Sequence, residues 1–166
     1  MNRVGRNPFE TNDAVSKAGL GHLYTHNHAT YGWGLYKYVK FEDAITYKRG
    51  MLVSYTPTTP YGTAVTVDCS EAVDVAGARA VGVCCYPMTA AYYGFIQVAG
   101  MALVIGDGGV AAGDLVIKDP SVDTGIADTV SGETGFVCGQ AQNADDTAND
   151  PLGVSAMFVC WLKGMV

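Results

Sequence analysis

Three histidines fall within seven residues, in the stretch HLYTHNH that carries His22, His26 and His28. Imidazoles this close could approach one divalent cation, as in a zinc or copper site. The spacing is split, however: His22 to His26 suits a helix, whereas His26 to His28 suits a strand. No Cys, Asp or Glu lies between Gly19 and Phe41 to complete a ligand shell. The three histidines are therefore metal candidates only, and neither a metal nor a cofactor is predicted. For nucleophilic catalysis the chain offers Cys69, between Asp68 and Ser70, with every histidine confined to the first 28 residues. A Cys-His pair then needs the N-terminal segment to fold back over the remainder. GxSxG and HExxH motifs are absent. No enzyme is predicted; a metal or cysteine enzyme built from His22, His26, His28 and Cys69 is kept as an alternative.

Two further patterns invite a chemical reading. Gly106-Asp107-Gly108-Gly109, with Gly113-Asp114, looks like a phosphate loop, but it lacks a GK[ST] ending and its carboxylates repel phosphate. It reads instead as turns feeding a strand at Leu115. The aromatics are crowded toward the start, nine of seventeen lying in the first sixty residues, interleaved with Arg3, Arg6, Lys37, Lys40, Lys48 and Arg49. Such a mixture suits stacking of bases or sugars, core packing, or anchors of a protein interface, where aromatic and Arg side chains dominate binding energy. The interface reading is favoured, with Arg3, Arg6, Phe9, Tyr24, Tyr31, Trp33, Tyr36 and Tyr38 as its residues. A glycan-binding β module that uses exposed tyrosines as stacking platforms is the alternative from another class.

The elements that must hold these residues divide in two. Residues 1–33 are polar and rich in Asn and Gly. One short helix is expected, capped by Asn12 or Asp13 and stopped at Gly19 and Gly21. With so little apolar periodicity this stretch reads as an extended arm ordered by contact with something else. Residues 34–166 read as an all-β domain, a small β-barrel or sandwich. Short strand-like runs recur between turns: Leu35 to Phe41, Met51 to Tyr55, Thr63 to Asp68, Ala80 to Tyr86, Tyr93 to Ile105 with a break at Gly100, Leu115 to Ile117, Phe136 to Ala141 and Ser155 to Leu162. In the first, Leu35, Val39 and Phe41 share one face, and Tyr36, Tyr38 and Lys40 the other. The last is apolar on both faces, which predicts a central strand with Phe158 and Trp161 in the core.

Charge and composition exclude several classes. Only 16% of residues are charged and 49% are hydrophobic, so the chain is neither intrinsically disordered nor a long coiled coil. Residues 1–60 carry seven Lys and Arg against four Asp and Glu, whereas residues 61–166 carry three against twelve. The acidic part repels phosphate, which argues against nucleic acid and anionic membranes as partners. Ala80 to Gly106 contains no charged residue, but Pro87, four glycines and Gln97 interrupt it, so it reads as buried strands rather than a membrane helix. The start, MNRVGRNPFETND, has no apolar stretch of the secretory kind, and the chain is expected to be made in the cytoplasm. Five cysteines with no CxxC pair read as reduced core residues, adjacent Cys84 and Cys85 pointing to opposite faces.

Read in order, AVGVCCYPM, YYGFIQVAG, GDGGVAAGDLVIKD, GIADTV, GFVCGQA and SAMFVCWL follow a pattern. Over roughly Ala80 to Leu162 the chain resembles the small β-barrel decoration, or head cement, proteins of tailed bacteriophages. The resemblance implies a structural virion protein, without catalysis, that binds the outside of an assembled shell. It implies the major capsid protein as partner, a homotrimer at three-fold and quasi-three-fold positions, and a place on the capsid exterior. Cys84-Cys85-Tyr86-Pro87, the acidic loop at 143–150 and the first 79 residues fall outside the pattern. Another virion component, such as an attachment or tail protein, is the alternative within the same class. On this reading, deleting residues 1–30 leaves a folded barrel that no longer binds capsids.

Overall fold

The structure, a computed structural model, describes residues 2–3, 7–42, 46–56, 62–67, 80–119, 125–130, 137–146 and 157–163. Alternating Val, Ile, Tyr and Phe between glycine and aspartate turns favours strands over helices, and the chain is all-β. Its strands are β1 (Asn2–Arg3), β2 (Leu23–His28), β3 (Gly32–Phe41), β4 (Leu52–Tyr55), β5 (Ala64–Thr66), β6 (Gly82–Cys84), β7 (Tyr93–Ile105), β8 (Leu115–Lys118), β9 (Ala127–Thr129), β10 (Gly139–Ala141) and β11 (Met157–Lys163). A 3-10 turn at Pro8–Glu10 is capped by the Asn7 side chain, which accepts from the Phe9 N–H.

These strands make one sheet in the order β1-β2-β3-β5-β4-β6-β7-β11-β10-β8-β9, and β3 also pairs with β7. That extra pairing curls β3, β5, β4, β6 and β7 into a partial ring. Val39, Phe41, Val53, Val65, Val67, Ile96 and Val98 fill it, with Leu103, Ile105 and Met157 at one end. Strand β2, with β1 beyond it, pairs with β3. Strands β11, β10, β8 and β9 continue from the second half of β7, along the edge that β6 takes in its first half, and a single parallel bridge from Gly106 to Ala127 brings β9 back toward the end of β7. Ala102, Val104, Val116, Cys138, Phe158, Cys160 and Leu162 form the core there.

One long strand serves both cores because its alternation changes phase. Before the middle of β7, Ile96 and Val98 enter the first core; after it, Leu103 and Ile105 do so while Ala102 and Val104 enter the second. Even positions give way to odd ones. The switch is a β-bulge against β3, where Leu35 opposes Ala99 but Tyr36 opposes Gln97. Gly100 follows with φ of 96°, and a Cβ there would lie 2.7 Å from the Trp33 carbonyl oxygen; glycine alone meets both demands. The buried Gln97 amide donates to the carbonyls of Ala99 (3.3 Å) and Met101 (2.8 Å), satisfying backbone groups that the bulge disturbs. The break expected at Gly100 is thus a bulge inside a continuous strand.

The N-terminal residues depart from the sequence expectation. The helix near Asn12 does not form, because both capping candidates use their side chains elsewhere. Asn12 exchanges hydrogen bonds with Thr89. Asp13 bridges Tyr93 through its backbone and accepts from the buried Tyr38 hydroxyl at 2.8 Å. The segment reaches into the sheet rather than away from it: β2 pairs with β3 over six residues, so the expected boundary at residue 33 lies inside a hairpin. Its cohesion comes from aromatic rings, which a search for aliphatic periodicity overlooks. Tyr24, Tyr36, Tyr38, Cys85 and Phe95 form a third core, against which Phe9, Ala18 and Leu20 pack. Removing residues 1–30 would uncover this core, so that truncation no longer isolates a binding arm.

Other expectations fare variously. Leu35, Val39 and Phe41 do share the face toward the first core. Cys84 and Cys85 do point to different cores, and Cys84, Cys85, Cys138 and Cys160 are free and buried; Cys69 lies outside the described residues. Strand β11 is central, between β7 and β10, and Phe158 is fully buried. Trp161 is not in the core: it is 54% exposed, because the face carrying Met157 and Val159 runs out of the core and ends at Lys163.

Candidate functional site

The histidine segment and the aromatic residues meet on one face of the β2–β3 hairpin. Opposed pairs Tyr24 with Tyr36, His26 with Gly34 and His28 with Gly32 put both imidazoles on the Tyr36 face of the hairpin, the His26 ring centroid 6.0 Å from that of Tyr36. Gly34 is required because Tyr36 folds back over it: a Cβ there would lie 2.7 Å from the tyrosine oxygen. Phe9, delivered by the 3-10 turn, lies against this row, its ring centroid 4.6 Å from His28, 5.8 Å from Tyr36 and 6.1 Å from His26. Tyr31 stacks on His28 at 4.8 Å, and the Arg49 guanidinium sits 5.3 Å from the Phe9 centroid.

The chemistry of the cluster follows from its hydrogen bonds. His28 Nδ1 accepts from the N–H groups of Thr30 (3.1 Å) and Tyr31 (3.3 Å), closing the β2–β3 turn. That bonding assigns the neutral tautomer, with the proton on Nε2. Burial holds the His28 pKa below its ordinary value, and nearby Arg49 and His26 add to the effect. Burial pushes the Tyr36 hydroxyl well above its ordinary value, with Cys85 adding to the shift. The Arg49 cation over the Phe9 face thus lies beside a neutral His28 imidazole.

Each expected metal candidate has its own surroundings. His26 and His28 both face the Phe9 ring. His22 lies against Gly19, whose Cβ position would be 2.6 Å from the imidazole Nδ1. Among the described residues, no group of three His, Cys, Asp or Glu could hold a metal ion. Cys69 with Asp68 and Ser70 falls outside the described residues.

The predicted interface residues separate into three sets. Tyr24, Tyr36 and Tyr38 are buried within the chain and support the third core. Phe9 and Tyr31 are partly exposed around His28. Trp33 is 63% exposed on the opposite face of β3. Arg6 and the side chain of Arg3 lie outside what is described. Sequence reasoning missed Arg49 as a partner of Phe9 and Trp161 as a surface residue; the lysine ending the MFVCWLK strand was the available sign for the latter.

The Gly-Asp stretch is a set of turns. Asp107, Asp114 and Asp145 accept from the backbone N–H groups of Gly109, Ala111 and Gly108 respectively, so carboxylates hold the donors that a phosphate would need. Among the described residues no helix is long and apolar enough to cross a membrane, and the uncharged run at Ala80 to Gly106 supplies β6 and β7. Comparison with protein-family models, curated proteins and solved structures finds no match.

Proposed function

We propose that this chain is a non-enzymatic structural protein of a tailed-phage virion, a decoration protein that binds the outside of the head shell as a homotrimer. Its partner is the major capsid protein; it needs no cofactor and engages neither nucleic acid nor membrane. The observation that carries the reading is where the family-like segments fall. They supply β6, β7, β8, β9, β10 and β11, which are consecutive neighbours in the order β6-β7-β11-β10-β8-β9. The resemblance therefore falls on strands that adjoin one another in the sheet.

The shell-facing surface is assigned to the cluster around Phe9, Tyr31 and Arg49, with Arg3 and Arg6 nearby in sequence. This region belongs to the basic part of the chain, and the acidic remainder is left toward solvent. Trp33, on the other face of β3, is not part of it. The test is co-sedimentation of the full chain with assembled shells of the cognate capsid protein, with native mass spectrometry of the free protein. Retention at a fixed stoichiometry, lost in Phe9→Ala plus Tyr31→Ala, is expected together with a trimeric mass. A folded protein that never pellets with shells overturns the reading.

A further inference from the structure

The two tryptophans of the chain lie on one face and in one row of the sheet. Leu35 of β3 opposes Ala99 of β7, and Ala99 opposes Lys163 of β11. Opposed residues share a face, and side chains two apart along a strand keep it. Trp33 and Trp161 each stand two residues before a member of that row, on strands that run in the same direction. Both therefore occupy the next row, separated by β7, whose Met101 directly opposes Trp161. Two interstrand spacings put their backbones about 10 Å apart.

Both rings are open, 63% and 54% exposed, and neither packs on another described aromatic ring. The flanking positions are amides: Asn27 opposes Trp33, and Gln140 opposes Trp161. Leu115, opposite Gln140 and 43% exposed, continues the row. In a chain of net charge -6, these positions carry no charge. Indoles with amides alongside match the two faces of a sugar, C–H groups that stack on a ring and hydroxyls that both donate and accept. The separation adds a geometric selection. Successive sugars of a β-1,4-linked chain turn over, so alternate sugars present the same face at the length of a disaccharide, about 10 Å, which matches the spacing of the two backbone positions.

We propose that the Trp33–Trp161 row is a binding platform for a neutral β-1,4-linked polysaccharide, the two indoles stacking on alternate sugars with Asn27 and Gln140 bonding to hydroxyls. This activity is independent of shell binding and uses the opposite face of β3.

The two tryptophans are themselves the reporters. Titration of the full-length protein with cellohexaose and with chitohexaose, followed by intrinsic fluorescence, is expected to give a saturable change. Maltohexaose, whose α-links coil the chain, is expected to give none. Trp161→Ala and Gln140→Ala should each weaken binding, the former about tenfold or more, as the loss of one stacking contact requires; both positions lie outside the core, so the variants stay folded. No fluorescence change with either β-linked sugar at millimolar concentration overturns the proposal, as does binding that Trp161→Ala leaves intact. Tryptophan burial that grows with protein concentration in the absence of sugar also overturns it, because a second copy of the chain then covers the row.

Discussion

Replacing Tyr38 by Phe removes one oxygen and tests whether the N-terminal segment is part of the fold. Tyr38 is fully buried, and its hydroxyl donates to Asp13 Oδ2 at 2.8 Å while accepting from the Lys17 N–H at 3.3 Å. A hydrogen bond to an ionised partner contributes about 1.5–3 kcal/mol. The Lys17 bond is long and exposed at one end, and the Lys17–Asp13 ion pair at 3.4 Å involves a half-exposed lysine that offsets little. Together these place the loss at about 2 kcal/mol, which lowers Tm by about 4–8 °C in a chain of this length. Urea unfolding of Tyr38→Phe, Asp13→Ala and the double variant gives both the loss and the coupling, expected at about 1 kcal/mol or more. If Tyr38→Phe stays within about 0.5 kcal/mol of the parent and the coupling vanishes, residues 12–17 do not dock on the sheet and the arm expected from sequence is restored.

Four other outcomes follow from the described contacts. Trp161→Ala is expected to cost under about 1 kcal/mol and Phe158→Ala about 3–5 kcal/mol, because one ring is exposed and the other leaves a cavity; denaturant midpoints separate them. Gly100→Ala combines a left-handed φ with a backbone clash and is expected to lose about 2 kcal/mol or more by calorimetry, whereas Gly108→Ala, left-handed but in open space, loses about 1. His28 has a depressed pKa, so its share of stability is present above its unfolded value near 6.5 and is lost as pH falls through the folded value; Tm measured from pH 7 to pH 5 should decline less in His28→Phe. The buried Cys84 and Cys160 thiols are pushed up to about 12, so their contribution holds below the unfolded value near 9 and is lost as pH rises toward 12. In a Cys69→Ser background the four remaining thiols should react with Ellman's reagent only when the protein unfolds, and reaction at the native rate of a free thiol would contradict their burial.

What the sequence made legible was the aliphatic part of the fold. Runs such as LVSY and FIQVAGMALVI alternate or stay apolar throughout, and turn residues bound them, so their strand character needs no partner to be read. The two sides of β3 were also visible, because Val39 and Phe41 differ in kind from Tyr36 and Tyr38. What covers the tyrosines was not visible. Strand β2 contains one aliphatic residue, Leu23, which is exposed, and its place depends on backbone pairing and on Tyr24 meeting Phe95, facts of long-range register. Asn12 and Asp13 carried a local helical signal that tertiary bonds to Thr89 and Tyr38 overrode. The candidate surface was half legible: its residue types were there, and the alternation of β3 separates its tyrosines from Trp33, but the face that Trp161 takes on β11 follows the register of β7 past its bulge. A parity change at one residue reverses every later assignment.

Strand β7 also imposes an order on synthesis. Its pairings to β3 and β6 are complete once residue 105 has emerged from the ribosome, so the first ring can close early. Its second half, carrying Leu103, Val104 and Ile105, pairs with β11, the last described strand to be made, on the edge that β6 takes in the first half. Throughout translation of the intervening fifty residues that edge is an apolar strand with unfilled hydrogen bonds, the kind of surface on which nascent chains associate. Loss of a few residues at the C-terminal end would thus be felt less as a missing strand than as a permanently sticky intermediate.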